Sequence, residues 1–466
     1  MMIKFQSTLT PRQKLFILVW DFIVIGISLS ISYFFRIGEL SDELFQASAF
    51  WIIPFVLTAF YYIFGAYDLD GKIKLKDLYI RTSFGSALGF LSIIGLNYFL
   101  AKERMGIFGR GVLVPALVIH YSLSVVYRTG IWAWFHAKSG EMEWLILATK
   151  SSIDLLLKEA TKYSWRGKYS FLVPENESGQ SEGKVADLNF KILGSWNELD
   201  QNISKNWSGL MVAAPWRDLP AGLCQSLMSA RLSGQSVVEI SEFFESNFRK
   251  IPVDFLGPEW FIFEKGFDLL HNPLGLRIKR LFDLAFALIL LFITWPLMLL
   301  TALAVRLESS GPALYRQVRS GQSGRNFTIL KFRSMGMNAE AGGAQWALVK
   351  DPRITKVGKF IRLTRLDELP QLFNVLKGEM SFVGPRPERP EFNLELETKI
   401  PFYSLRYLVR PGLTGWAQIN YPYGASVEDA KEKLQHDLFY IKNHSIALDI
   451  QVVLKTIKVV LFGQGR

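Results

Sequence analysis

Five long apolar runs decide what this chain can fold into. Four follow one another near the N-terminus, at residues 15–35, 49–66, 83–100 and 112–134. Each approaches the roughly 20 residues that a helix needs to cross a hydrocarbon core. The first is too long for the apolar part of a signal peptide and lacks a small-residue cleavage site, so it is expected to remain as a span. Composition agrees, with 50% hydrophobic and 14% aromatic residues, more than a soluble enzyme needs. A length of 466 residues suggests about three domains.

Charge sets the expected orientation. Lys4, Arg12 and Lys14 precede the first run, and Lys72, Lys74, Lys76 and Arg81 lie between the second and third. The loop after the first run holds Arg36 beside Glu39, Asp42 and Glu43. Lys102, Arg104 and Arg110 blur this pattern without reversing it. The positive-inside rule therefore puts the N-terminus, and everything after the fourth run, on the cytoplasmic side. Asp21 and His120 fall inside these runs, where polar groups commonly join helices to one another. Asp68-Leu69-Asp70 has the form of a nucleotide-sugar metal site, but without a strand-helix setting it reads as a solvated loop.

From residue 143 the pattern changes. Strand candidates at 144–148, 169–173, 190–193, 209–214 and 236–240 alternate with helical patterns such as 153–163 and 219–232. That alternation predicts a parallel α/β sheet. A dinucleotide fold carries its glycine-rich turn just after the first strand. Here that position reads Leu147-Ala148-Thr149-Lys150-Ser151-Ser152, so a Rossmann-like domain without its cofactor motif is expected, as a regulatory or assembly surface. The single cysteine, Cys224, excludes an intramolecular disulfide and a thiolate metal cluster.

The fifth run opens with Lys279-Arg280-Leu281-Phe282-Asp283 and continues to residue 305. It is long enough to cross, yet Pro296 sits within it, removing a helix hydrogen bond and forcing a kink or break. A crossing would also export Arg306, Arg316, Arg319, Arg325 and Arg333, against the charge rule. A re-entrant helix over 279–305 satisfies both facts, with Lys279 and Arg280 anchoring its start among lipid phosphates.

Beyond it, basic and glycine-proline motifs surround two adjacent acids. Lys331 and Arg333 alternate as on a strand; Asp351-Pro352-Arg353 and Arg362 follow. Thr364-Arg365-Leu366-Asp367 matches a capping box, which places Asp367 and Glu368 in the first turn of a helix closed by Gly378. An ionised Asp can attack phosphorus, and an adjacent Glu can hold Mg2+, a hard cation that prefers oxygen. Val383-Gly384-Pro385-Arg386-Pro387 presents a guanidinium suited to phosphate, and Arg410-Pro411-Gly412-Leu413-Thr414-Gly415-Trp416 is a second glycine-punctuated loop.

These ordered motifs, with Asn374–Gly378, the stretch 437–441 and Leu448-Asp449-Ile450, resemble the bacterial polyprenyl-phosphate hexose-1-phosphate transferases, large monotopic phosphoglycosyl transferases. The resemblance covers about the last 190 residues closely and the rest more loosely. It implies a four-helix transmembrane domain (1–142), a Rossmann-like α/β domain (143–265) and a catalytic α/β domain (266–466) at a bacterial inner membrane, facing the cytoplasm. It also implies ping-pong transfer of hexose 1-phosphate from a UDP-hexose to undecaprenyl phosphate, releasing UMP. The hexose is glucose on family frequency, with galactose as the alternative, and the product begins exopolysaccharide, capsule or O-antigen synthesis. Asp367 would be the nucleophile and Glu368 the Mg2+ ligand. Lys331, Arg333, Asp351, Arg353, Arg362, Pro385 and Arg386 would form the substrate site, and Lys279, Arg280, Asp283 and Pro296 the membrane side. Arg316, Arg319 and Arg365 suit either a basic surface or substrate contact. One departure is Trp295 before Pro296, where a small polar residue is usual. The net charge of +11 fits anionic lipid and phosphorylated substrates, with no nucleic acid partner, and the resemblance is compatible with a homodimer that uses the middle domain as a contact surface. A dehydratase would need glycine-rich turns and a Tyr-x-x-x-Lys pair, and a processive glycosyltransferase a D-x-D inside a nucleotide fold; neither is present.

Overall fold

The computed structural model describes residues 11–67, 69, 74–99, 109–140, 142–162, 167–177, 181–185, 188–205, 207–215, 218–337, 339, 351–421, 424 and 426–461. Asp68 and Asp70 lie outside them, as do Lys4, Lys72, Lys102 and Arg104. The chain forms two compact units, Met1–Asn247 and Phe248–Arg466.

The first unit opens with the helices Pro11–Ile37, Ser48–Phe64, Leu75–Phe99 and Arg110–Gly140. Three of them contain stretches long and apolar enough to cross a membrane, and Ser48–Phe64 is a shorter apolar helix. Lipid-facing helices keep their polar groups inside the bundle, and this one does so. Arg128 Nη2 donates to Asp21 Oδ2 at 2.5 Å, Tyr127 donates to the same carboxylate, and both charged residues are buried. The guanidinium also lies 4.5 Å from the Tyr61 ring centroid. Asp21 is therefore interhelical glue between the first and fourth runs, as the sequence suggested, with His120 Nε2 4.0 Å away.

The same unit carries a six-stranded sheet in the order β3-β4-β2-β1-β5-β6. Its strands are β1 (Glu143–Leu147), β2 (Lys168–Val173), β3 (Ser181–Val185), β4 (Leu188–Ser195), β5 (Gly209–Val212) and β6 (Val237–Glu239). All neighbours are parallel except β3 and β4. The five expected strands are present, and β3 is an added edge. Leu145, Leu147, Leu172, Leu210 and Val212 share a core with Leu223 and Leu227 of the helix Ala221–Leu232. After β1 the chain enters the helix Lys150–Lys162. There the Glu177 carboxylate accepts from the Lys150 N–H at 2.7 Å, so an internal acid already occupies a donor at the helix start where phosphates otherwise bind.

The second unit is built around the helix Pro273–Glu308. Asn272 Oδ1 caps it through the Gly275 N–H, and Pro273 takes the first position, where a missing N–H costs nothing. The helix runs unbroken through Pro296, so the proline does not divide it in two. Its early part packs in the core through Ala287, together with Ile329, Leu372, Val375, Phe382, Tyr440 and Val452. Its last turns pack through Val305 on Phe332 and Ile361. Between these ends the helix is exposed, with Phe292 at 79% and Ile293 at 65%. The hairpin β7 (Leu314–Ser320) and β8 (Asn326–Phe332) and the parallel pair β9 (Ser381–Val383) and β10 (Gly412–Thr414) supply the strands.

Candidate active site

Asp367 and Glu368 sit on a short 3-10 turn, Leu366–Glu368, not in the first turn of an α-helix. The expected capping box does not form. Thr364 is the C-cap of the helix Lys356–Leu363, and its hydroxyl donates back to Phe360 O at 2.9 Å. Arg365 then turns the chain with φ +59°, a left-handed conformation costly for a residue with a side chain. The next helix starts only at Gln371, after Pro370. Its expected end is observed, with Gly378 in the left-handed region at φ +86°.

The two acids have different surroundings. Glu368 Oε1 accepts from Arg386 Nη2 at 2.7 Å and from Lys331 Nζ and Arg365 Nη1, both at 3.4 Å. Against the cost of burial, these cations hold its carboxyl well below the usual range. Asp367 is equally buried, but its Oδ1 has no hydrogen-bond partner. Burial, and then the neighbouring Glu368 charge, raise its pKa. One environment thus splits two carboxylates into a fixed anion and a more basic, uncommitted one. Burial pushes Lys331 down to about 8, against the pull of Glu368.

Asp367 opens into a cavity of about 1080 Å³. Lys331, Arg333, Arg353, Arg362, Arg365 and Arg386 line it, so the structure brings together the five cations expected from sequence, with Arg365 added. Their engagement differs. Arg333 donates to Ser309 O and Ser310 O, fixing the chain that leaves the long helix. Arg353 pairs with Asp351 at 2.6 Å and donates to Ala339 O; its hydrogen bonds hold Asp351 at about 2. Arg362 Nε donates to Ser334 Oγ at 2.8 Å. Arg319 donates to Pro387 O and Glu388, and Arg316 shares the lining.

Arg386 owes its position to glycine. Gly384 N donates to Thr414 O, and Gly412 N donates to Pro385 O at 2.8 Å. A Cβ on Gly412 would lie 2.1 Å from Gly384 N, a distance only glycine permits. Pro385 is thus a backbone acceptor within this junction. Behind it, Arg406 donates to Arg386 O and pairs with Asp437 at 3.0 Å. Burial pushes Asp437 up to about 6 despite that partner. Glu388, Arg406 and Lys433 also line the cavity, and the sequence reading assigned none of them. Arg406, four residues before the Arg410-Pro411-Gly412 motif, was the nearest signal.

Lys279, Arg280 and Asp283 do not form the expected lipid-facing group. Lys279 and Asp283 turn into the protein and are buried. Lys279 Nζ pairs with Asp283 at 2.7 Å and Asp449 at 3.2 Å and donates to Ser381 Oγ at 2.5 Å. Phe382 N donates to Asp283 Oδ1 at 3.0 Å. Arg280 donates to Val375 O and Leu376 O, satisfying carbonyls at the end of the Gln371–Lys377 helix. The buried acids draw the lysine inward because an isolated buried charge is far costlier than a paired one.

No group of three or more His, Cys, Asp or Glu side chains among the described residues is placed to hold a metal. The donor on offer is the Glu368 carboxylate, beside the orphaned Asp367 oxygen. That fits Mg2+, which commonly takes one or two carboxylates and completes its shell with water and phosphate oxygens.

Residues 274–463 match the family model described as bacterial sugar transferase. The UDP-N-acetylgalactosamine-undecaprenyl-phosphate N-acetylgalactosaminephosphotransferase of Aeromonas hydrophila is 50% identical over 198 residues, 42% of this chain and 47% of that protein. The UDP-glucose:undecaprenyl-phosphate glucose-1-phosphate transferase of Xanthomonas campestris pv. campestris is 46% identical over 181 residues, 38% of this chain and 37% of that protein. The chain thus spans less than half the length of both. A Caulobacter vibrioides protein with the same glucose-1-phosphate transferase name is 42% identical over 210 residues, 44% of this chain and 78% of that protein. On the family match and this last coverage, the chain belongs to the bacterial sugar transferase family.

Proposed function

We propose that the protein transfers a hexose 1-phosphate from a UDP-hexose to undecaprenyl phosphate through a phospho-aspartyl intermediate on Asp367. The observation that carries this is the split dyad: a buried, uncommitted Asp367 oxygen facing a cation-lined cavity, beside a Glu368 held ionised by three cations.

An Asp367 carboxylate oxygen attacks the sugar-bearing phosphorus. The bond to the bridging oxygen breaks, and its electron pair leaves with UMP. An oxygen of undecaprenyl phosphate then attacks the same phosphorus, and the acyl-phosphate bond breaks to restore the carboxylate. Lys331, Arg362, Arg365 and Arg386 neutralise the diphosphate and the charge that builds on the transferred group. Arg333 and Arg353 hold the cavity wall. Mg2+, held by Glu368 with the diphosphate oxygens, would supply further charge neutralisation.

The names of the relatives support a lipid-phosphate acceptor and divide the donors between glucose and N-acetylgalactosamine. Glucose is our first choice; the 50% identity to the Aeromonas protein favours N-acetylgalactosamine as the second. A re-entrant membrane helix is supported by the packing of both ends of Pro273–Glu308 in one compact unit and by the exposed apolar stretch between them. With the basic residues of the N-terminal block, this favours a multi-pass protein of the bacterial inner membrane, its catalytic domain facing the cytoplasm and its Rossmann-like domain acting as a scaffold or dimer surface.

The test uses membranes supplied with Mg2+, undecaprenyl phosphate and either UDP-glucose or UDP-N-acetylgalactosamine. UMP should be released with one donor, and acid-quenched protein should carry labelled sugar. Asp367→Asn should abolish both signals. Release of UDP, or activity retained by that variant, would overturn the mechanism.

A further inference from the structure

The two substrates of such a reaction reach the cavity differently. A nucleotide sugar comes from water, whereas the acceptor is an amphiphile whose phosphate must leave the membrane surface while its chain stays in lipid. One part of the cavity wall is built for the second task.

Arg306 lies in the last turn of the long helix, exposed, and lines the cavity that contains Asp367. Among the described residues, no hydrogen bond or ion pair engages its guanidinium. Of the other lining cations, Arg386, Lys331 and Arg365 gather on Glu368 beside Asp367, Arg353 pairs with Asp351, and Arg333 donates to backbone carbonyls, while Arg316 lies on the strand β7 and not on this helix. Residues three, four and seven apart share a helix face. Leu299, Leu303 and Arg306 therefore form one stripe, with Leu300 beside it. The three leucines are each more than half exposed, at 61%, 55% and 62% for Leu299, Leu303 and Leu300. Their opposite face is fixed, since Val305, with Met298 and Ala302 packed against it, shares a cluster with Phe332, Ile361 and Leu366, the residue before Asp367. Glu308 accepts from Val357 N at 2.9 Å, tying the helix end to the start of the helix Lys356–Leu363. Pro312, Leu314, Met335 and Met337 line the same cavity as Arg306.

We propose that Arg306 captures the phosphate of the long-chain isoprenoid acceptor, with the hydrocarbon laid along Leu299, Leu300 and Leu303, and delivers it to the cavity holding Asp367. This rests on the phosphosugar-transfer reading above. A membrane headgroup offers the same phosphate chemistry, but a headgroup anchor would sit on the lipid surface with no need to line the reaction cavity.

The test separates the two half-reactions in the full chain in nanodiscs. Labelling of the protein by radioactive UDP-sugar reports the first, and discharge of that label by undecaprenyl phosphate reports the second. Arg306→Gln should raise KM for undecaprenyl phosphate at least tenfold while labelling stays within about twofold, and Arg306→Lys should recover most of the loss. Leu303→Gln should raise KM for undecaprenyl phosphate but not for a short prenyl phosphate. An unchanged acceptor KM in Arg306→Gln overturns the inference. So does an equal loss in both half-reactions with weakened membrane retention, the result of a headgroup anchor. Failure of the unaltered protein to label at all would instead sink the phospho-aspartyl reading, and this inference with it.

Discussion

Lys279 is the ammonium shared by two buried acids, Asp283 and Asp449, the second of which also meets His444 Nε2 at 3.2 Å, and replacing it with Met isolates what it does. In the intact protein its ammonium touches Asp283, Asp449 and Ser381 at 2.7, 3.2 and 2.5 Å. Asp283 and Asp449 are 1% and 0% exposed. Lys279→Met leaves both carboxylates buried without their shared counter-charge, a change that typically costs about 3–5 kcal/mol. For a unit of roughly 220 residues, each kcal/mol moves the melting temperature by about 2–4 °C, so the loss should be on the order of 6–20 °C. A second substitution checks the cause. In Asp283→Asn the side-chain oxygen can still accept from Phe382 N, and the amide can donate to Ser381 Oγ, so Lys279→Met/Asp283→Asn removes one of the stranded charges. The double variant should therefore melt above the single lysine variant. Thermal scanning of purified protein by fluorescence-detected size exclusion gives both values. A Lys279→Met melting point within about 2 °C of the unaltered protein would refute the reasoning, as would a double variant less stable than the single one.

Two further outcomes follow from the dyad and its frame. On the proposed mechanism Asp367 must be ionised to attack, and its pKa is raised, so the rate of protein labelling should climb with pH above the ordinary aspartate range. It should fall again near about 8 as Lys331 loses its proton, and Lys331→Arg should carry that alkaline limb upward. Gly412→Ala puts a methyl 2.1 Å from Gly384 N; kcat/KM should drop at least tenfold while the Asp367 turn, on another segment, stays folded, which partial proteolysis can confirm.

Much of this was legible in the chain because local patterns carried it. β1, β2 and β4–β6 appear where alternating apolar segments place them, and Gly378 closes its helix as a residue free to take positive φ should. The dyad's setting was not legible. Thr364 could cap a following helix or finish the preceding one, and the sequence does not say which; packing of Ile361 against Val305 and Phe332 decided for the second. Lys279 read as a membrane anchor because its partners, Ser381 and Asp449, lie more than a hundred residues away. Arg406 and Asp437, 31 residues apart, were unreadable as a pair because only the fold brings them within 3.0 Å.

The long helix has a consequence for how the protein is made. Its early part packs in the core through Ala287, and its last turns pack through Val305 in the cluster that takes in Leu366, the residue before Asp367. In the re-entrant placement proposed above, the apolar stretch between them cannot be withdrawn from lipid while both ends stay seated, and leaving it in water would expose a surface that promotes aggregation. Burying that stretch and completing the active site are thus one event. On that placement the bilayer would act as a folding partner of this unit, and a molecule that missed the membrane should also fail to assemble its dyad.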